Sequence, residues 1–369
     1  MNFEGSKLRA FAKGRGLSLQ HVAESVGVSR QTVNDWIGGQ VPKGNHLMLL
    51  CKLFGVNPNA FFSGDPQVAI SVPTHRQRMG SKITESTQQT AVALAREYLS
   101  IFKNSKSPEV VPVVRTQDGK GRNDARQVAE KLRLRSGIPD DKPFDYKDTF
   151  KLAEALGIHV IFRDFPTSIK SYAFYVTIDG RRVVFVNSST NVIDLIFPLL
   201  HELVHAVRDE IRREGEYDEE EEAFCDSVAS FVQFPPPYVE FVYNTIRPLS
   251  KPQQVNTLKS FAKTYHHSLY GIVKAIRAME PSFELQVGGA DSNLRKQFPT
   301  IDKEISAEAD VRNFLQIMRF LSGNFLNVVA SQIESISNRK LAEILNVESE
   351  LDAGEIRAEL LRESLSSKN

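Results

Sequence analysis

Apolar residues recur at three- and four-residue spacing through most of the chain, and short continuous apolar runs replace that pattern only between residues 158 and 187. A mainly α, multidomain protein with one small sheet is therefore expected. Near the start, Leu8, Phe11 and Ala12 share a helical face that Gly14 and Gly16 close. Ser18 is a good N-cap for LSLQHVAESVG, since its hydroxyl can accept a free backbone N–H, and Gly27 suits a left-handed helix end. Ser29 then caps RQTVNDWIGG, with Val33, Trp36 and Ile37 on one face. After Pro42, HLMLLCKLFG gives a fourth amphipathic helix, and NPNAFF closes the unit with two aromatic rings. The spacing predicts a four- to five-helix helix-turn-helix bundle over residues 1–65.

Pro, Gly and polar residues break any period from Gly64 to Ser81, so a linker is expected at 66–81. Helices are predicted within 82–103, over NDARQVAEKLRLRSG, and over DYKDTFKLAEALG ending at Gly157. IHVIFR, YAFYVTI and RVVFVN read as three strands, with Asp179-Gly180 as a hairpin turn between the last two. The apolar run NVIDLIFPLLHELVHAV follows as a helix that Pro198 is expected to kink or to start. Residues 281–369 form a helical C-terminal region suited to dimerisation, to holding a protein substrate or to receiving a signal. Within it, SNRKLAEILNV resembles the start of a second helix-turn-helix pair.

Composition narrows the picture little. With 46 Lys+Arg against 45 Asp+Glu the net charge selects no polyanion, yet the stretch from Arg76 to Arg135 is enriched in bases and predicts a basic surface. No run reaches the roughly 18–20 apolar residues of a membrane helix, and the start MNFEGSKLRAFAKGRG lacks the apolar block of a secretion signal, so a cytoplasmic protein is expected. Cys51 and Cys225 lie far apart and form no disulfide framework.

The chemistry concentrates in His201-Glu202-Leu203-Val204-His205. Two imidazoles four residues apart on a helix lie on one face, one turn from each other, and can share a metal ion, with Glu202 at the edge of that face. A catalytic zinc needs three protein ligands and an open water position, so a third ligand should come from another element. In YDEEEEAFCDSVASFVQFPPP a buried stripe of Cys225, Val228, Ala229 and Val232 defines a helix, and Glu222 falls three residues before Cys225 on that stripe. Glu222 is the expected third ligand, while Glu219, Glu220 and Glu221 precede the helix or sit in its first turn, solvated and favoured by the dipole. Asp226, four residues after Glu222, can accept the second N–H of a zinc-bound imidazole. Cys225 and His159 read as packing residues. Tyr172, Tyr175, Tyr217, His266 and His267 are all candidates to stabilise an oxyanion.

Two resemblances sharpen these readings. Residues 5–63 resemble small phage-repressor-like (XRE-type) domains through Leu17-Ser18, Val22-Ala23, Gly27-Val28-Ser29, Val33, Trp36, Gly39 and Leu50. In such domains the second helix of the motif enters the major groove. By position that helix is 29–37, which makes Arg30, Gln31, Thr32 and Asn34 the DNA-contacting residues, with Lys43 reaching a phosphate. Residues from about 82 to 245 resemble the ImmA/IrrE family of zinc metallopeptidases through the His-Glu-x-x-His helix, Glu222-Ala-Phe-Cys225-Asp226, Ala229 and Pro235, and through Val186-Asn187 ahead of the helix. Val204 stands where Gly is frequent and Asp226 where Asn is commoner. The resemblance implies an α+β zincin-like domain over 82–280 that binds Zn2+ and hydrolyses peptides, Glu202 taking the proton of the attacking water.

The resemblance further implies a regulatory protease whose substrate is a helix-turn-helix repressor of stress, phage or mobile-element genes. Double-stranded DNA would bind through residues 1–65, no membrane would be involved, and a homodimer is possible in principle. A protein of another class fits the same motifs: a sequence-specific regulator whose zinc domain is a sensor or a relic.

Overall fold

In the computed structural model the described residues are 2–56, 58–63, 70–71, 85–103, 119–208, 218–306 and 310–366. They are mainly helical. The first unit is clipped shut by β1 (Asn2–Phe3) pairing antiparallel with β2 (Phe62–Ser63), so that its two ends meet. Between them run α1 (Gly5–Gly14), α2 (Leu19–Val26), α3 (Arg30–Ile37), α4 (Gly44–Phe54) and a 3-10 turn at Pro58–Phe61. The caps follow the sequence. Ser18 Oγ accepts from His21 N, Ser29 Oγ from Thr32 N, and Gly27 is left-handed at φ 74°. Leu8, Phe11, Val22, Val26, Val33, Trp36, Leu50, Phe54 and Phe61 form this unit's own core. A Cβ on Gly5 would lie 2.2 Å from the Trp36 carbonyl oxygen, so the approach of α1 to α3 requires glycine there.

The second unit is built on a sheet of order β3-β5-β6-β4. β4 (His159–Arg163), β5 (Ala173–Ile178) and β6 (Arg181–Asn187) are the three expected strands. Asp179 and Gly180, both at positive φ, turn β5 antiparallel onto β6, whereas β4 runs parallel to β6. β3 (Ile70–Ser71) comes from within the stretch expected as linker and adds an edge beside Thr177 and Ile178. The rest of that stretch lies outside the described residues.

Helices α5 (Glu85–Arg96), α6 (Leu99–Lys103), α7 (Arg122–Ser136) and α8 (Tyr146–Ala155) precede β4. Following β6, α9 (Val192–Arg208) packs against β5 and β6, and α10 (Glu219–Gln233) lies between α9 and α7. Arg133 of α7 is 1% exposed; its guanidinium sits over the Phe144 ring and donates to the carbonyls of Val232, Pro139 and Lys142. That cluster fixes the C-terminal end of α10 and hence its rotation against α9. Pro198 does not start α9, which begins at Val192 and runs through it. Leu195, Ile196, Leu199 and Leu200, on both sides of the proline, are buried and hold the helix together across the missing N–H.

The chain continues through α11 (Pro236–Ile246), α12 (Lys251–Tyr265), α13 (Leu269–Met279), α14 (Gly288–Arg295) and α15 (Ile301–Ser306) to α16 (Val311–Ala330), α17 (Asn338–Leu345) and α18 (Glu350–Ser366). The C-terminal helices share the core of the second unit. α16 packs on β4 and α8 and bends at Ser322, whose hydroxyl donates to the Val160 carbonyl, while Asn324 Nδ2 donates to the Glu154 carbonyl at 3.1 Å. Among the described residues no helix is long and apolar enough to cross a membrane.

Candidate functional site

Helical periodicity puts His201 and His205 one turn apart on α9, and both are buried. Their Nε2 atoms lie 2.9 Å from each other. Across from them on α10, the 2%-exposed Glu222 places Oε2 3.4 Å from His201 Nε2 and Oε1 3.4 Å from His205 Nε2. The three residues form a group whose ligand atoms all lie within 4.8 Å of one another. Zinc bonds of about 2.0–2.1 Å set at tetrahedral angles separate neighbouring donors by about 3.4 Å. The two carboxylate distances meet that spacing, and two imidazoles plus one carboxylate are a donor set of the hydrolytic type, so these residues fit zinc.

His201 and the neighbouring Glu202 are each held by a further partner. His201 Nδ1 meets Asp226 Oδ1 at 2.9 Å, as the spacing along α10 predicts, which leaves Nε2 to present its lone pair. Burial works against charge on His201, but hydrogen bonds to Asp226 and Glu222 and the nearby charge of Glu202 outweigh it and raise its pKa to about 10. Metal and proton therefore compete for this ring. Glu202 is 6% exposed, and its Oε2 accepts the backbone N–H of Tyr175 on β5 at 2.8 Å. No side-chain pattern announces such a bond, because any residue but proline at position 175 carries the same N–H.

Glu221 departs from the expectation of a solvated acid: it is 2% exposed. Its carboxylate accepts from the Arg208 guanidinium at the end of α9, Nη2 to Oε2 being 2.9 Å, and pairs with Lys120 Nζ at 3.0 Å. Asp218, the N-cap of α10, holds the same Lys120 at 2.9 Å. Burial opposes the charge on Glu221, yet Arg208 and Lys120 together lower its pKa. Arg208 also lies 4.3 Å over the Phe224 ring. Near the other side of the site, Lys274 Nζ is 5.4 Å from the centre of the Phe197 ring, which packs on His201.

Among the candidates for oxyanion stabilisation, His267 is fully buried and engaged, with Tyr238 Oη 2.7 Å from its Nε2. His266 serves as the left-handed end of α12, 3.7 Å from Asp145. Tyr175 is buried, Tyr172 packs against the core, and Tyr217 lies outside the described residues. His159 is buried against Phe102, as a packing residue should be.

On the first unit, Val33 and Trp36 turn one face of α3 into the core and leave the other to solvent. Arg30 and Gln31 are exposed, Thr32 and Asn34 half-buried, and Lys43 is exposed at the N-cap of α4. Gln31 Nε2 donates to Asp35 at 2.9 Å, and the Thr32 hydroxyl lies 2.9 Å from Ser29 Oγ, so Thr32 is tied to the cap.

Residues 8–61 match the helix-turn-helix family model, which covers α1 to the 3-10 turn. Residues 153–236 match the IrrE N-terminal-like domain, a span that takes in β4, β5, β6, α9 and α10. No curated protein matches the chain. One segment of the chain is thus similar to helix-turn-helix domains, a DNA-binding type, and another to IrrE N-terminal-like domains, a metallopeptidase type.

Proposed function

We propose that the chain is a DNA-associated, zinc-dependent endopeptidase that cleaves a transcriptional regulator, itself a helix-turn-helix repressor, and so controls stress, phage, defence or mobile-element genes from the cytoplasm. The observation that carries this reading is the convergence of His201, His205 and Glu222, with the Glu202 carboxylate fixed beside them.

Zinc, when bound, supplies Lewis acidity toward the scissile carbonyl and makes a water acidic enough to lose its proton near neutral pH. Glu202 is the residue that accepts that proton, and it returns it to the departing amine nitrogen. The Tyr175 N–H restricts the rotation of the carboxylate, so the base is oriented before substrate arrives. Asp226 holds the proton of His201 on Nδ1. On the first unit, Arg30 and Asn34 are the residues suited to base edges, with Lys43 on a phosphate. A DNA-bound repressor would then sit at raised local concentration near the zinc centre.

The test pairs wild type with Glu202→Gln, each incubated with candidate helix-turn-helix repressors on operator DNA. Wild type should give discrete fragments. The variant should cleave about 10²–10⁴-fold more slowly while keeping wild-type zinc content, melting temperature and operator affinity. Equal cleavage by the variant would remove Glu202 from the mechanism. Full zinc and intact operator binding with no cleaved regulator would favour a sequence-specific regulator whose zinc domain senses or stabilises.

A further inference from the structure

The two histidines are oriented by different partners. His201 uses a carboxylate, that of Asp226. His205 directs Nε2 toward His201 and Glu222, so its other nitrogen faces away from the ligand cluster, and there Cys225 Sγ lies 3.5 Å from Nδ1. A ring that presents the Nε2 lone pair must carry its proton on Nδ1, which makes Nδ1–H the donor and the sulfur the acceptor. The same sulfur is 3.6 Å from Glu221 Oε1, toward which its S–H can donate. Glu221 is fixed in turn by Arg208 and Lys120. On this geometry Cys225 cannot be a zinc ligand, because it occupies the far side of the His205 ring.

We propose that Cys225 is the positioning residue of His205: its sulfur accepts a hydrogen bond from Nδ1–H and passes the orientation of the Glu221–Arg208–Lys120 cluster to the ring, as Asp226 does directly for His201. The proposal rests on His201, His205 and Glu222 holding zinc. It gives Glu221, one residue before the third ligand, a separate role from Glu222. Arg208 and His205 both lie on α9, and Glu221, Glu222 and Cys225 all lie on α10, so the chain ties the two ligand-bearing helices together beside the site.

A packing role and a positioning role predict opposite orders for two substitutions at this fully buried position. Cys225→Val keeps an apolar side chain of similar size and loses the acceptor, whereas Cys225→Ser keeps an acceptor and donor and loses apolar contact. Zinc affinity of the full-length protein, measured by competition with a chromophoric chelator, should fall about 10–100-fold in Cys225→Val and stay within a few-fold of wild type in Cys225→Ser. The visible spectrum of the cobalt-substituted protein should shift in the Val variant alone, and circular dichroism should report all three proteins as folded. Equal zinc affinity in the Val variant and wild type, or weaker binding in Ser than in Val, would overturn the proposal. Wild type that binds neither zinc nor cobalt would instead remove the metal reading beneath it, so the two failures are told apart by the wild-type titration alone.

Discussion

The helix-turn-helix unit and the metal centre place their polar chemistry on opposite sides of the solvent boundary. In the first, Val33 and Trp36 hold α3 from beneath while Arg30 and Gln31 stand in water, so function and stability use different faces of one helix. In the second, His201, Glu202, His205, Glu221 and Glu222 are all under 10% exposed, and each must find a partner because an unpaired buried charge is costly. A surface site tolerates change in its functional residues. A buried site binds function to folding, since the groups that would hold the metal are also those that the interior must neutralise.

The difference is sharpest at the ligands themselves. His205→Ala and Glu222→Ala should each reduce zinc from about one per chain to near zero, as plasma mass spectrometry of the purified proteins would show. Glu222→Ala should also change the melting temperature by several degrees, because it removes the carboxylate that both Nε2 atoms face. Unchanged zinc in either variant would mean that the cluster is not the ligand set. On the exposed side, Arg30→Ala and Asn34→Ala should each cost about 1–3 kcal/mol of operator binding and leave the melting temperature within a degree or so, read by fluorescence anisotropy and calorimetry. A large loss of stability there would contradict the division of faces.

A smaller effect separates the units by pH. Burial holds His159 down to about 4, and it does the same for His267. A base whose folded pKa is depressed binds its proton more readily when unfolded. The stability that depends on its neutral form is therefore complete above about pH 6.5, its ordinary value, and is lost as pH falls toward 4, at about 1.4 kcal/mol per pH unit for each histidine. Both residues belong to the second unit, so chemical denaturation at pH 7 and pH 5 should weaken that unit selectively, and His159→Gln should flatten the slope. An identical pH response in both units would refute this account.

What the sequence makes legible follows the same division. Ser18, Gly27 and Ser29 act within a few residues of themselves, so the caps and the turn of the helix-turn-helix motif are written locally, and they form as read. The pair His201 and His205 is local too, and Glu222 follows from the stripe it shares with Cys225. Glu221 was unreadable as a buried residue because its neutralising partners are 13 and 101 positions away, a relation that no helical period encodes. The Tyr175 bond to Glu202 belongs to the backbone and has no side-chain signature. Pro198 reads as a kink or a helix start because its local cost is real, about 3 kcal/mol, but burial on both sides of it is larger. Two residues of β3 among prolines and glycines carry too little pattern to stand out, and their pairing with β5 supplies what the local sequence lacks.

That short strand also sets a leash. Ser63 closes the helix-turn-helix unit and Ile70 is already fastened to the sheet of the second unit, so six residues, 64–69, connect the two anchored points. Seven residue steps reach at most about 25 Å when fully extended. On the proposed function, with α3 in a major groove, so short a leash would keep the second unit close to that groove and would favour targets seated on the neighbouring turns of the same duplex.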